Sequence, residues 1–137
     1  MQYIGFMQWR VVYVVEFETW LDAQVEGLQD EALARIGLLG TVGPTLGRPY
    51  VDTLKGSKIA NLKELRFDYE RAPIRILFVF DPQKQAVMLL GGDKKGDKRW
   101  YESNVPIAEK RYEEHLERQR KGDDGRKRRG QERNKPK

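Results

Sequence analysis

The sequence predicts an α+β fold, in which a small antiparallel sheet carries an N-terminal helical hairpin on one face and is followed by a C-terminal helix. Two observations support this class. Apolar and polar residues alternate through three segments of residues 62–90, the period of strands joined by turns. The flanking segments, residues 19–39 and 103–116, have apolar residues at helical spacing instead.

The first part of the chain predicts one strand and two helices. The β-branched and aromatic run from Val11 to Phe17 has the composition of a buried strand. Thr19 stands three residues before Asp22, the spacing of a capping box, and predicts a helix as far as residue 28. A second helix through residues 32–39 ends where Gly43-Pro44 breaks the pattern.

Three strands are expected in the central unit, residues 62–101. The first strand places Leu62, Glu64 and Arg66 on one face. The second strand directs four residues to the core (Ile74, Ile76, Phe78, Phe80) and three away from it (Arg75, Leu77, Val79). We therefore expect guanidinium groups on the open face of a half-buried sheet, a suitable surface for phosphate.

The remaining segments are assigned from turn and cap signals. Residues 44–61 are predicted to form a loop, and Gly91-Gly92 to release the chain from the third strand, residues 86–90. Ser103 or Asn104 caps the last helix, with Pro106 in its first turn. Its apolar stripe docks along the sheet: Val105, Ala108, Tyr112 and Leu116.

Length and composition restrict the class of protein. The 137 residues suffice for one domain with a core, and the chain has no cysteine for disulfides or thiolate metal sites. No apolar run reaches the roughly 18 residues of a membrane-spanning helix, and the N-terminus lacks a signal-peptide layout. We expect a cytoplasmic protein without membrane association.

Charge is divided unevenly along the chain. Residues 118–137 contain ten Lys/Arg against three Asp/Glu, whereas residues 1–35 contain two against six. Acidic helices beside a basic sheet indicate an anionic ligand. We predict an N-terminal extension at 1–9, a folded domain at 10–120 and a disordered basic tail at 121–137, which lacks apolar residues.

The chain lacks the residues that several kinds of catalytic or binding site require. His115 is the only histidine, and Asp93 and Asp97 are interleaved with lysines, so we predict no metal site and no cofactor. Gly91 and Gly96 have the separation of a phosphate-binding loop, but Asp97 stands at the position of its lysine. His115 is better explained as a surface or packing residue of the last helix.

The available residues suit cleavage of RNA, which supplies its own nucleophile, the 2′-hydroxyl. Arg66 and Arg75 are predicted to clamp the phosphate, and Glu64 or a lysine of Lys94-Lys95 to accept the proton. Tyr101 is predicted to stack on a base or to assist proton transfer. Further RNA contacts are predicted at Lys55, Lys58, Lys63, Arg99 and Trp100. Structural alternatives remain open: a Glu64–Arg66 ion pair, solvated turn lysines and a core position for Trp100.

The order of short motifs resembles the HigB-like branch of the RelE/ParE toxin superfamily, including its phage-derived members. The motifs are Leu-Lys-Glu-Leu-Arg at 62–66, Ile-Arg-Ile-Leu-Phe at 74–78, Lys94-Lys95, and Ile107-Ala108 before Arg111 and Tyr112. The resemblance covers roughly residues 10–118. It implies a RelE-like fold, with Arg66 and Arg75 as sheet arginines, Lys94-Lys95 as the basic loop and Tyr101 as the late aromatic residue.

This resemblance also implies an activity and partners. It implies a type II toxin that cleaves mRNA on the translating ribosome, and a cognate antitoxin, often a helix-turn-helix protein, in a hetero-oligomer. The expected product is a 2′,3′-cyclic phosphate. The sequence departs from many relatives in lacking a histidine in the motif. That departure supports the alternative of a non-catalytic ribosome- or nucleic-acid-binding module, or a gyrase inhibitor as in the ParE branch.

Overall fold

The computed structural model describes the backbone of residues 9–133 and the side chains of residues 9–122. Most of the predicted N-terminal extension lies outside the described residues, and the domain boundaries stay predictions. Within the described residues the elements are β1 (Arg10–Tyr13), α1 (Val15–Asp22), α2 (Glu26–Val42), β2 (Val51–Thr53), β3 (Lys63–Tyr69), β4 (Ala72–Asp81), β5 (Gln85–Asp93) and α3 (Trp100–Arg133).

The strands form one five-stranded sheet in the order β1-β5-β4-β3-β2. Neighbouring strands from β2 to β5 pair antiparallel, whereas β1 runs parallel to β5. The predicted α+β architecture is confirmed, with one parallel edge pair added to it.

The helical hairpin packs on one face of the sheet through the buried apolar residues of each helix. In α2 they are Leu28, Ala32, Ile36 and Leu39, three or four positions apart and all buried. The helix ends at Gly43, whose φ of +78° favours glycine. Phe17 and Leu21 anchor α1 in the same core.

The other face is covered by α3 over much of its length, which leaves less of it open than the predicted exposure of Leu77 and Val79 implied. Leu77 and Val79, expected to face away from the core, are only 0% and 3% exposed, and Ala108 of α3 is fully buried. Arg66, by contrast, keeps 34% of its side chain exposed. The part of this face that remains open therefore lies around Arg66.

Gly91 and Gly92 lie inside β5 rather than after it, and each makes room for a tryptophan. A Cβ on Gly91 would collide with the Trp20 ring of α1, and one on Gly92 would lie 3.0 Å from the Trp100 ring of α3. Successive strand residues face opposite sides. The two glycines therefore let both helical layers approach β5.

Two predicted boundaries near the N-terminus are wrong. The strand predicted from Val11 to Phe17 ends at Tyr13, and α1 begins at Val15, before the predicted cap at Thr19. Phe17 and Leu21, four residues apart, are both buried from α1. Burial at helical spacing overrides the strand propensity of this run.

Boundaries also differ at β2 and α3. Three residues of the predicted loop, Val51–Thr53, pair with β3 as an edge strand. The last helix begins at Trp100 instead of near Ser103, because the Asp97 carboxylate accepts a hydrogen bond from the Arg99 amide at 2.9 Å and caps it. The helix then continues to residue 133, through most of the stretch predicted to be disordered. The stretch mixes Lys, Arg, Gln and Glu, which favour a helix, with three glycines and two aspartates, which do not, and it continues a helix already nucleated on the sheet.

Candidate functional site

Strand pairing brings the two predicted arginines together. Arg66 of β3 and Arg75 of β4 are direct partners in the antiparallel register, and Glu64 pairs with Leu77 two positions away. Residues directly opposite each other project from the same face of a sheet. The predicted clustering of Glu64, Arg66 and Arg75 on one face is therefore present in the structure.

Glu64 is the centre of a buried polar cluster. Its Oε1 accepts a hydrogen bond from the Tyr101 hydroxyl at 2.6 Å and lies 3.2 Å from Arg75 Nε. Arg75 also donates from Nη1 to the Ile74 carbonyl at 2.9 Å. Burial, together with the neighbouring Glu64 carboxylate, raises the pKa of Tyr101, so this hydroxyl stays protonated near neutral pH. The cluster thus fixes Arg75 and Tyr101 relative to each other.

Arg66 is held from the other side by Asp52 of β2. One Asp52 oxygen, Oδ2, lies 4.0 Å from Arg66 Nη1 and accepts a hydrogen bond from Arg48 at 2.8 Å. The Arg48 hydrogen bond is the main cause of a lowered pKa at Asp52. This carboxylate stays charged and competes with any other anion for Arg66.

A polar cavity of about 280 Å³ opens where the two arginines meet. It is lined by Pro49, Arg66, Phe67, Asp68 and Arg75. The Nε atoms of both arginines are buried and have no hydrogen-bond partner within residues 9–122, although Arg75 Nε lies 3.2 Å from Glu64 Oε1. Two guanidinium groups that line one polar cavity suit an anion, because each can bind its oxygen atoms with charge-assisted hydrogen bonds.

The lysine loop after β5 reaches the same site through Lys94. Its Nζ lies 5.2 Å from the centre of the Tyr101 ring, a cation–π contact, and its amide donates to the Pro73 carbonyl at 3.1 Å. Lys95 is exposed, and its amide donates to Asp93 Oδ1 at 2.8 Å. Of the two lysines, the structure connects Lys94 to the cluster.

A second concavity, the α3 groove, begins at Tyr101. It has a volume of about 330 Å³ and separates the Lys55–Lys58 loop from the first turns of α3, where Glu102, Val105 and Pro106 line it. Glu109 ties the loop to the helix, accepting hydrogen bonds from the Lys58 amide at 2.6 Å and the Ser57 hydroxyl at 2.8 Å. Lys55 and Lys58 thus border a groove next to the arginine pair.

Three of the residues predicted to contact RNA are not brought to the arginine pair. Trp100 is 5% exposed and packs over Gly92, the core position that the sequence left open as the alternative to an RNA contact. Lys63 faces the opposite side from Glu64 and donates to the Thr53 hydroxyl at 2.8 Å. Arg99 is exposed, and its amide takes part in the α3 cap.

His115 lies in a separate buried cluster. Its Nε2 is 3.8 Å from Asp81 Oδ2 at the far end of β4, and its ring stacks on Tyr112. Burial lowers the pKa of His115. Within the described residues, no group of three or more His, Cys, Asp or Glu side chains is placed to hold a metal ion.

Four site residues were not found from the sequence: Arg48, Asp52, Asp68 and Glu109. Arg48 and Asp52 lie in a segment predicted to be a loop, so no strand register connected them with Arg66. Asp68 follows Arg66 at strand spacing, and this alternation could have placed it on the same face. Glu109 adjoins the apolar stripe of α3, where a buried carboxylate is unusual.

The architecture defines the class of fold. A solved structure of an E. coli toxin RelE mutant in the free state aligns with a TM-score of 0.51 and 7% identity, covering 69% of this chain and 92% of that chain. At this identity the likeness establishes the fold alone. The RelE-like fold implied by the sequence is confirmed.

The sequence comparisons identify the family. The profile described as "Phage derived protein Gp49-like (DUF891)" matches residues 19–113, and the chain belongs to this family. Two proteins of Mycobacterium tuberculosis (strain ATCC 25618 / H37Rv) are similar. "Putative toxin HigB3" is 47% identical over 107 residues, 77% of this chain and 92% of that protein. "Putative toxin HigB2" is 40% identical over 105 residues, 75% of this chain and 52% of that protein.

These findings confirm the predicted relation to phage-derived, HigB-like members of the superfamily. In the part of the chain that the structure describes, no helix combines the length and apolar composition needed to cross a membrane.

Proposed function

We propose that this protein is the toxin of a type II toxin–antitoxin pair, a metal-independent endoribonuclease that cleaves mRNA on the translating ribosome in the cytoplasm. The names of its M. tuberculosis relatives support the toxin class. They also support a cognate antitoxin, which we expect to be a helix-turn-helix protein that forms a hetero-oligomer with the toxin.

One observation carries the nuclease proposal. Arg66 and Arg75 face each other across β3 and β4, and both side chains line one polar cavity. Two guanidinium groups on directly opposed strand positions suit the non-bridging oxygens of one RNA phosphate, which they can bind with paired hydrogen bonds. Fixed positive charge at the phosphate also stabilises the pentacovalent transition state.

The proposed reaction is an internal displacement. The 2′-oxygen of the nucleotide forms a bond to phosphorus, and the bond from phosphorus to the 5′-oxygen of the next nucleotide breaks. The products are a 2′,3′-cyclic phosphate and a 5′-hydroxyl. One proton leaves the 2′-hydroxyl, and one is delivered to the departing 5′-oxygen, so the reaction needs an acceptor and a donor.

The geometry suggests separate roles for the two carboxylates. Glu64 is buried and its Oε1 is shared by Tyr101 and Arg75, which suits a positioning residue better than the general base predicted from the sequence. Asp68 is exposed and lines the cavity beside both arginines, so we assign proton acceptance to it. The ammonium group of Lys94, above the Tyr101 ring, is the proposed proton donor to the leaving oxygen.

Cleavage of labelled mRNA by purified protein, with and without ribosomes and in excess EDTA, tests this function. We expect cleavage that persists in EDTA and leaves a cyclic phosphate. Arg66→Ala should abolish it, because half of the phosphate clamp is lost. Arg10→Ala is the matched control, since Arg10 is exposed on β1 at the opposite edge of the sheet. A metal requirement, or full activity of a folded Arg66→Ala variant, would contradict the proposal.

A second candidate is binding without turnover, to the ribosome, nucleic acid or gyrase. It is favoured by the position of the single histidine, which contacts Asp81 and Tyr112 and leaves the arginine site without an imidazole. Growth arrest with intact mRNA would support this candidate, and accompanying DNA damage would indicate gyrase inhibition.

A further inference from the structure

The α3 groove has the features of a nucleobase site. Its apolar surface comes from the Tyr101 ring, Val105 and Pro106, and the exposed lysines Lys55 and Lys58 border it on the loop side. Stacking on flat apolar surface and salt-dependent contacts to backbone phosphates are the two usual sources of affinity for single-stranded RNA.

The groove and the arginine cavity are linked through the Glu64 cluster. The Tyr101 hydroxyl belongs to the Glu64–Arg75 cluster, while the Tyr101 side chain also lines the groove. Arg75 of this cluster lines the arginine cavity, so Glu64 and Tyr101 connect a phosphate bound there with the groove.

The groove is held open by its own hydrogen bonds. Glu109 binds the loop at both the Ser57 hydroxyl and the Lys58 amide, so the loop is fixed against α3 before any ligand arrives. Gly56 at the loop tip has open space where a side chain would project. A preformed site loses less conformational freedom on binding than a mobile one.

We propose that the α3 groove binds the base of a nucleotide adjoining the scissile phosphate and that Glu102 selects its identity. Glu102 supplies a carboxylate in the first turn of α3, and a carboxylate only accepts hydrogen bonds. It therefore favours a base with an exocyclic amino group, such as cytosine, over uracil, whose O4 is itself an acceptor. This inference rests on the proposed nuclease function.

The test is a cleavage profile on a pool of RNAs randomised around one cut site. Wild-type protein should prefer cytosine to uracil at one position next to the cut by about tenfold, the scale of a single base-edge contact. Glu102→Gln, whose amide can donate as well as accept, should remove most of this preference. Glu113→Gln, an exposed change on the same helix outside the groove, is the matched control and should keep it.

A cut-site preference unchanged in Glu102→Gln would overturn the inference and leave the nuclease function standing. If wild-type protein cuts no RNA, the proposed function fails. The inference is then tested by titrating the protein with cytidine or uridine 5′-monophosphate and measuring NMR chemical-shift changes at Tyr101 and Val105. Stronger shifts with the cytidine nucleotide in wild type, equalised by Glu102→Gln, would support it. Equal shifts in wild type would overturn it.

Discussion

Replacing Glu64 with glutamine removes the negative charge from the buried cluster while keeping the shape of the side chain. The Glu64 and Arg75 side chains are only 6% and 8% exposed, so the change leaves the Arg75 guanidinium buried without a counter-charge. Removing one partner of a buried ion pair costs about 3–5 kcal/mol of unfolding free energy. Because Arg75 also lines the open cavity, we expect a loss near the lower end, about 3 kcal/mol.

Urea unfolding followed by circular dichroism measures this loss, with Glu114→Gln on the exposed side of α3 as the control. The control should change the unfolding free energy by less than about 0.5 kcal/mol. The double change Glu64→Leu with Arg75→Met should recover much of the stability, because apolar side chains of similar volume replace a buried pair without desolvating charge. It should nevertheless lack nuclease activity.

A loss below about 1 kcal/mol for Glu64→Gln would refute the argument, because that is the size of an exposed ion pair. The argument also fails if the double variant is no more stable than Glu64→Gln. In that case shape, and not charge, would determine the stability of the cluster.

Three further predictions concern the surroundings of the site. Asp52→Asn should lower the KM for RNA, measured at low salt, because it frees Arg66 from a competing carboxylate; an unchanged KM would exclude competition. Gly92→Val should displace the Trp100 ring and reduce kcat while the protein stays folded by circular dichroism, and unchanged kcat would contradict this. The hydrogen bond from the Lys58 amide lowers the pKa of Glu109. The ionised Glu109 carboxylate therefore stabilises the fold fully above the ordinary carboxyl pKa, and this stabilisation is lost as pH falls through the lowered pKa. Melting temperatures should therefore fall less on acidification in Glu109→Gln than in wild type, and equal falls would contradict the assignment.

Some features of the site followed from strand alternation alone. Positions 64, 66 and 75 were predicted on one face because side chains alternate along a strand, and the β3–β4 turn sets their register. The fold class followed from periodicity, because alternation in residues 62–90 differs from the helical spacing on either side. Element boundaries were predicted less accurately. Phe17 was assigned to a strand, but its burial as part of α1 outweighed the strand propensity of its neighbours.

The sequence by itself thus determined the fold class, the shared face of Glu64, Arg66 and Arg75, and the basic character of the loops, since these depend on local period and charge. Tertiary structure decided that Trp100 is buried, that Glu64 is engaged by Tyr101, and that Glu109 holds the Ser57–Lys58 loop. The Tyr101–Glu64 and Glu109–Ser57 contacts join residues 37 and 52 positions apart. They form only when α3 docks on the sheet and the intervening chain closes into a loop. A local sequence pattern therefore does not predict them.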